Sequence, residues 1–419
     1  MTVLEWINYI LGALFILMYA YQGFYMLVSL VGKHKPLKEG ALNRIGVLIC
    51  ARNEEAVIGN LIKSVGKQDY PASHLQVFVC ADNCTDKTAE VCRALGAIVY
   101  ERHNLEKIGK GFAMRELLGH IEEDYGKGAY DAFLVLDADN ILENNFITEI
   151  NKTYSAGYDV VTSYRDSKNY GDNWVSAGYS LQFMREAKYL NNPRMLLGTS
   201  CAVSGTGFIF NSRLLNDGGW KWFLLTEDTE FTVHHAMSGV KIGYAPSAVL
   251  YDEQPTSFKT SITQRMRWAK GQLQVYGRYG GRLLSQMFNP RRAFAAYDLS
   301  VNIFYTFLIS TLSVLYNIVT IIVELALGKS ILGIVTGLCA VLASVYFGMY
   351  AMGLLTTITE WKRIQTPTYK KIWYTFTFPI FLMTYLPIAI YSVFVRVHWK
   401  PIKHTKAHSL EDIHNQAKK

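Results

Sequence analysis

The sequence predicts an α/β domain with a mostly parallel sheet, set between membrane-spanning helices. Three observations carry this. Four runs contain no Asp, Glu, Lys or Arg: residues 6–32, 299–323, 330–359 and 372–395. A helix needs about 20 apolar residues to cross the hydrocarbon core, so each run is long enough. Between the first two lies a polar stretch, residues 33–298, with room for one sizeable domain. Within it, short apolar runs alternate with helical spacing, the pattern of strands joined by crossover helices. Half of the 419 residues are hydrophobic and only 18% are charged, which excludes a disordered chain. Six cysteines without a dense framework exclude a disulfide scaffold and fit a reducing cytoplasm. Cys80, Cys84 and Cys92 lack a fourth ligand at zinc-site spacing.

The first run has no basic residue before it and a long apolar stretch, so it is expected to anchor the chain rather than be cleaved. Lys33, His34, Lys35 and Lys38 follow it directly, which places the N-terminus outside and the domain in the cytoplasm. Arg278, Arg282, Arg291 and Arg292 precede the second run and agree. Lys362, Arg363, Lys370 and Lys371 put the loop at 360–371 on the same side. Four crossings would return the C-terminus to the outside. Yet the tail carries Arg396, Lys400, Lys403, Lys406, Lys418 and Lys419 against Glu411 and Asp412, a cytoplasmic bias. Pro379 and Pro387 interrupt the fourth run, which leaves a re-entrant or interfacial segment as the alternative, but four spans are expected, about three of them C-terminal. Basic flanks facing anionic lipid explain the net charge of +8, and no nucleic acid is needed.

Inside the domain, residues 44–50 read as a buried strand and 54–68 as a helix, from the spacing of Val57, Leu61, Ile62 and Val65. Residues 75–81 form a second strand. A helix at 85–95 follows, with Asp82 or Thr85 near its N-cap. A strand at 97–100, a helix at 111–123 and a strand at 132–136 complete the alternation. Ligands of such sheets bind at the carboxyl ends of the strands. There the chain places Ala51-Arg52-Asn53-Glu54-Glu55, then Asp82-Asn83-Cys84-Thr85-Asp86, then Asp137-Ala138-Asp139. Singly, these acids serve as helix caps. Together on one edge they repel unless they meet a cation or a ligand. Asp-x-Asp suits a hard cation, Mg²⁺ or Mn²⁺, whose shell is completed by diphosphate oxygens.

Further along, Lys107-Ile108-Gly109-Lys110-Gly111 precedes a helix and reads as a phosphate approach or a surface turn. It does not match a Walker A loop. Gly205, Thr206 and Gly207 close a small-residue stretch from Cys201 that allows close backbone approach to a ligand, or a plain turn. Thr226-Glu227-Asp228 opens a helix, where a carboxylate acts as a general base or as a capping acid. His234 and His235 on that helix read as structural. Gln264-Arg265-Met266-Arg267-Trp268 lies on an amphipathic stretch and suits either diphosphate pairing with sugar stacking or interfacial anchoring.

In this order, Asp82, Asp-x-Asp, Thr-Glu-Asp and Gln-x-x-Arg-Trp resemble the signature of the membrane-embedded family-2 glycosyltransferases. That group includes the cellulose, chitin, hyaluronan and poly-N-acetylglucosamine synthases. The stretch from Ile49 to Gly207, with ADNCTD, ERHN, GKG, LDADN and SGTG, looks especially like bacterial exopolysaccharide-type transferases. The resemblance implies a GT-A fold and inverting transfer from a nucleotide-diphosphate sugar. Ala51, Asn53, Glu54 and Asp82 would then hold the uridine, and Lys110 the donor. Asp137 and Asp139 would hold nucleotide and metal, Mg²⁺ or Mn²⁺. Asp228 would be the base. Gln264, Arg267 and Trp268 would serve the diphosphate and the acceptor end, with Gly205, Thr206, Gly207 and Glu227 on the acceptor. The chain lacks the Phe-x-Val-Thr-x-Lys gating loop of cellulose synthases and a cyclic-dinucleotide domain. Thr366-Pro367-Thr368 is a poor match for such a loop.

The expected organisation is an anchor at 1–32, a catalytic domain at 33–255, interface helices at 256–296, membrane helices at 297–397 and a basic tail at 398–419. The expected activity is a hexosyltransferase building a β-linked polysaccharide at the cell membrane from UDP-N-acetylglucosamine or UDP-glucose, with or without export. The alternative is transfer of one sugar to a lipid or lipid-linked acceptor. A non-catalytic transport or binding protein fits less well. All the expected carboxylates are present, and few charges interrupt the spans.

Overall fold

The computed structural model describes residues 3–416. Helix α1 (Val3–Val31) carries the first apolar run. The domain then builds β1 (Ile45–Ala51), α2 (Ile58–Gly66), β2 (Leu75–Asp82), α3 (Thr88–Ala94), β3 (Ile98–Arg102), α4 (Lys110–Tyr125) and β4 (Ala132–Asp137). These follow the expected alternation. A second half adds β5 (Ile141–Leu142), α5 (Phe146–Ser155), β6 (Val160–Ser167), α6 (Trp174–Glu186), α7 (Asn192–Leu196), β7 (Phe208–Asn211), α8 (Glu227–Ser238) and β8 (Ile242–Asp252).

One eight-stranded sheet runs in the order β3-β2-β1-β4-β7-β6-β8-β5. The first four strands are mutually parallel, as are β6 and β8; β7 is antiparallel to both its neighbours and β5 to β8. Successive side chains of β1 face opposite sides. Leu48 joins a core with Phe78, Leu117 and Phe133, while Val47 and Ile49 pack with Leu61 and Ile147 on the other face. Helices therefore cover both faces. The register pairs Cys50 with Asp137 and Ala51 with Ala81, so three strands end level at one edge.

Two elements differ from expectation. Helix α2 starts at Ile58 rather than 54, because Asn53 takes a left-handed φ of +59° and turns the chain first. Helix α3 starts at Thr88, and its first N–H is taken by Asp86 Oδ1 at 3.0 Å, not by Asp82 or Thr85.

After the sheet, α9 (Phe258–Gln286) leads to α10 (Ala293–Ser300), α11 (Thr306–Ala326), α12 (Ile331–Thr359), α13 (Thr368–Met383), α14 (Tyr385–Phe394) and α15 (Leu410–Asn415). Four segments are long and apolar enough to cross a membrane: Trp6–Val31, Ala293–Ala326, Ile331–Thr359 and Thr368–Phe394. The fourth is broken between α13 and α14, near Pro387. The buried Arg265 donates there to Phe381 O (3.1 Å) and Thr384 Oγ1 (2.7 Å). At the start of the segment Lys370 Nζ reaches Gly171 O at 2.7 Å. At its end Lys270 of α9 reaches Ser392 O and Val393 O, both at 3.1 Å. Both ends thus lie against the α/β domain or its α9, and the tail beyond packs on the domain. Lys418 and Lys419 lie outside the described residues.

Candidate active site

The level strand ends open into a cleft of about 530 Å³. Its floor is Ala51 and Arg52 at the end of β1, Asp82 at the end of β2, Asp137 and Asp139 at and beyond the end of β4, and Asp252 and Glu253 at the end of β8. Its sides are Gly205, the α8 N-terminus with Glu227 and Asp228, and Gln264, Arg267 and Trp268 of α9. The cleft continues to Tyr19 and Gln22 of α1, Asn302 and Thr306, and Tyr385 of α14. Most of the residues singled out in the sequence therefore converge on one space.

Asp82 is buried and tied to Arg102 Nη1 at 2.6 Å and Asn83 Nδ2 at 2.8 Å. Lys110, at the first position of α4, bonds Asp137 Oδ1 and donates to Gly205 O at 2.7 Å. Burial alone would lower its pKa. Asp137 and Glu227 outweigh that and raise it above an ordinary lysine. Asp139 accepts from the Glu253 N–H at 2.7 Å. Burial opposes its ionisation, but His404, Lys168 and that N–H hold its carboxyl below the usual range. Glu54 lies beside His404, whose Nδ1 is 2.9 Å from Oε1. Burial is the largest influence on Glu54 and raises its pKa. On His404 burial works the other way, and Asp139 and Glu54 still push it up to about 10.

Glu227 and Asp228 occupy the first two positions of α8. Burial, before all else, raises both carboxyls; for Glu227 the neighbouring Asp228 adds to it. Arg267 and Lys110 oppose the rise and keep cations within range. A carboxylate raised in this way is a stronger base than a solvated one. Helix α9 sits close on this turn because Gly271 lies where a side chain would meet Thr226 Oγ1 at 2.6 Å. That seating places Arg267, which donates to Leu225 O at 3.2 Å, beside the two acids. Gln264 Oε1 is buried with no partner among the described residues, an acceptor waiting for a donor. Trp268 stands edge-on to Tyr179 and Phe183, its centroid 5.6 and 6.0 Å from theirs.

Three expected ligand residues have other work. Asn53 lies off the cleft, and its Oδ1 accepts from Thr85 N at 2.8 Å, joining the β1 and β2 loops. Thr206 is buried; its hydroxyl bonds Asn140 Oδ1 and accepts from Asp137 N, so it holds the Asp137 turn from beneath. Gly207 has φ +65°, and a side chain there would collide with Leu250. In the same way Gly111 meets the Trp222 backbone rather than a phosphate. His235 is buried among Trp222 and Phe231, in keeping with a structural reading.

Several cleft residues carry no motif. Arg165 of β6 pairs with Asp252, donates to Ser204 O at 2.9 Å and lies 3.9 Å over Phe183. Burial pushes Asp252 up to about 7, against the pull of Arg165 and with the push of Asp139. Asp252-Glu253 ends a strand, so the rule applied to β1, β2 and β4 would have found it. Arg165 and the tail residues Trp399 to His404 give no such signal.

The donor set fits a hard divalent cation. It is all oxygen and crowded with carboxylates, and Asp252 is pushed to retain a proton. Among the described residues no three metal-binding side chains converge, so Asp137 and Asp139 alone would hold the ion from the protein side.

The family profile described as "Glycosyltransferase like family 2" matches residues 43–271. Over 396 residues the chain is 22% identical to a probable glycosyltransferase, YdaM, of Bacillus subtilis, covering 86% of this chain and 85% of that one. It is 25% identical over 235 residues to the beta-monoglucosyldiacylglycerol synthase of Synechocystis, 56% of this chain and 48% of that one. It is 22% identical over 281 residues to the poly-beta-1,6-N-acetyl-D-glucosamine synthase of Staphylococcus epidermidis, 64% and 63%. The solved mannosyltransferase PcManGT of Pyrobaculum calidifontis, in complex with GDP-Man and Mn²⁺, superposes with a TM-score of 0.59 at 16% identity. That match covers 92% of this chain and 97% of that one. The GT-A fold is thereby shared.

Proposed function

The chain belongs to glycosyltransferase family 2, and on that premise we propose that it is an inverting enzyme moving one sugar from a UDP-sugar onto a lipid or lipid-linked acceptor. UDP-glucose and UDP-N-acetylglucosamine are the donors to try first. One observation carries the choice of acceptor. The cleft runs from Asp228 to side chains of α1, the turn before α11, and α14. Beyond that point α11 and α12 wall off little: no residue of Thr306–Ala326 is buried, and in Ile331–Thr359 only Gly353, Thr356 and Thr357 are. A lipid head group can reach the cleft sideways from the bilayer. A polar glycan leaving through this chain would need a walled passage.

In this reading the acceptor hydroxyl lies between Asp228 and the anomeric carbon. The Asp228 carboxylate takes the hydroxyl proton as the oxygen attacks. The bond from the anomeric carbon to the diphosphate breaks, and UDP departs with the electron pair. One displacement inverts the anomeric centre and needs no enzyme nucleophile. Lys110, Arg165 and Arg267 supply fixed positive charge to the diphosphate, and Gln264 accepts a hydrogen bond from the substrate. Asp137 and Asp139 would hold Mg²⁺ or Mn²⁺, which would neutralise charge on the leaving diphosphate. The domain faces the cytoplasm. α1, the segment containing α11, and α12 cross the membrane, while α13–α14 enters and leaves on the domain side.

The polymer-building reading expected from the sequence keeps two supports, the Gln264, Arg267 and Trp268 element and the likeness to a poly-beta-1,6-N-acetyl-D-glucosamine synthase. Product analysis separates the two. Purified protein in lipid nanodiscs is given radiolabelled UDP-sugars. The expected product extracts into organic solvent and carries one sugar. A product that stays aqueous or insoluble and lengthens with time would establish polymerisation instead.

A further inference from the structure

The C-terminal tail, read from sequence only as a charge bias, crosses the cleft as a strap. Its exposure alternates. Ile402, His404, Lys406, His408 and Leu410 are half-buried, and Lys403, Thr405, Ala407 and Ser409 between them are exposed. That is the period of an extended chain lying on a surface. The near end is fixed by Lys270 on the last carbonyls of α14. The far end is fixed by α15. There Ile413 is fully buried in the main core, Ser409 and Asp412 form a capping box, and Gln416 Nε2 donates to Lys168 O at 2.8 Å. Between these anchors the strap touches the loops after two strands. His404 meets Glu54 after β1, and the Thr405 and Lys406 N–H groups donate to the Glu253 carboxylate after β8 at 3.1 and 2.8 Å. Trp399 lies with its ring centroid 5.5 Å from the Arg52 guanidinium, and Trp399, Ile402 and His404 all line the cleft.

A purely structural tail would leave the cleft bounded by the domain alone. Here the strap residues Trp399, Ile402 and His404 line the same cleft as Ala51, Arg52 and Asp82. We propose that residues 399–404 are the outer wall of the donor pocket, with Trp399, Ile402 and His404 holding the nucleotide of the donor against the strand ends. This rests on the donor reading given above and adds positioning residues to it. A wall of this kind affects donor affinity and leaves use of the acceptor alone.

The test uses the full chain in detergent, with UDP and GDP each titrated calorimetrically in the presence of Mg²⁺. The double variant Trp399→Ala/His404→Ala is expected to bind about tenfold more weakly than wild type. It should raise the KM for the donor by a similar factor and leave the acceptor KM unchanged. Trypsin cleavage after the exposed Lys403 gives a second readout that needs no variant: saturating nucleotide should slow it. Equal or tighter binding by the variant, or cleavage unaffected by nucleotide, overturns the wall and leaves the donor reading intact. Wild type binding neither nucleotide overturns the donor reading, and the wall with it.

Discussion

Asp228 carries the account at the scale of single residues. Burial raises its carboxyl above the ordinary aspartate value of 3.8. The base works only when ionised, so turnover should fall as pH drops through that raised value. A pH–rate profile should therefore show its acid limb above that of an ordinary aspartate. The stability sign is the opposite. A group raised in the fold contributes stability below its unfolded pKa and loses it as pH rises through the folded one. Asp228→Asn, which never ionises, is thus expected to raise the Tm at pH 7 while abolishing transfer, a pairing of effects seen where function holds a fold off its optimum. Thermal melts and turnover on the same preparation check both. The placement of this residue in the cleft was legible in the sequence because Thr-Glu-Asp follows a small-residue loop and opens a helix. The roles of Asn53 and Thr206 were not. Both sit inside ligand-like motifs, but their oxygens accept from backbone N–H groups of a neighbouring loop, a partnership that depends on tertiary placement.

At the scale of elements, the first four strands could be read because each is a short apolar run ending in polar residues. The second half was harder. β5 has two residues and β7 four, and β7 runs antiparallel between neighbours far away in the chain. Neither periodicity nor length marks such strands. Glycines show the same limit. Gly111 looked like a phosphate glycine, yet it admits the Trp222 backbone against α4. Gly111→Ala should cost about 1–3 kcal/mol through overpacking, with a lower midpoint in urea and little change in m. The contact between α7 and α10 rests on a buried ion pair, Arg194 with Asp298 at 2.6 and 2.9 Å, joined by the Tyr21 hydroxyl of α1 at 2.9 Å. Removing one partner leaves a buried charge alone. Arg194→Met should cost about 3–5 kcal/mol, measured as lost thermal stability in detergent, whereas changing both residues to apolar ones of similar size should recover much of it.

At the scale of the whole molecule, hydropathy located four apolar segments but could not say which way the last one runs. Two prolines and a basic tail hinted at a bend. Lys370 to Gly171 and Lys270 to the end of α14, the contacts that support the proposed bend, join residues more than a hundred positions apart. The bend predicts a tail on the side of the domain. Single cysteines placed at 365 and at 407, in a background without native cysteines, should be protected together or labelled together by a membrane-impermeant maleimide in sealed vesicles. Labelling of one without the other would restore a full fourth crossing. The central claim is transfer from a nucleotide sugar with Asp228 as its base. The most direct measurement is UDP release by the purified protein across a panel of UDP-sugars with lipid acceptors, Mg²⁺ or Mn²⁺, and Asp228→Asn alongside. The account predicts release with one donor, dependent on acceptor, and lost in a variant that still binds UDP. Turnover by Asp228→Asn near the wild-type rate would contradict it.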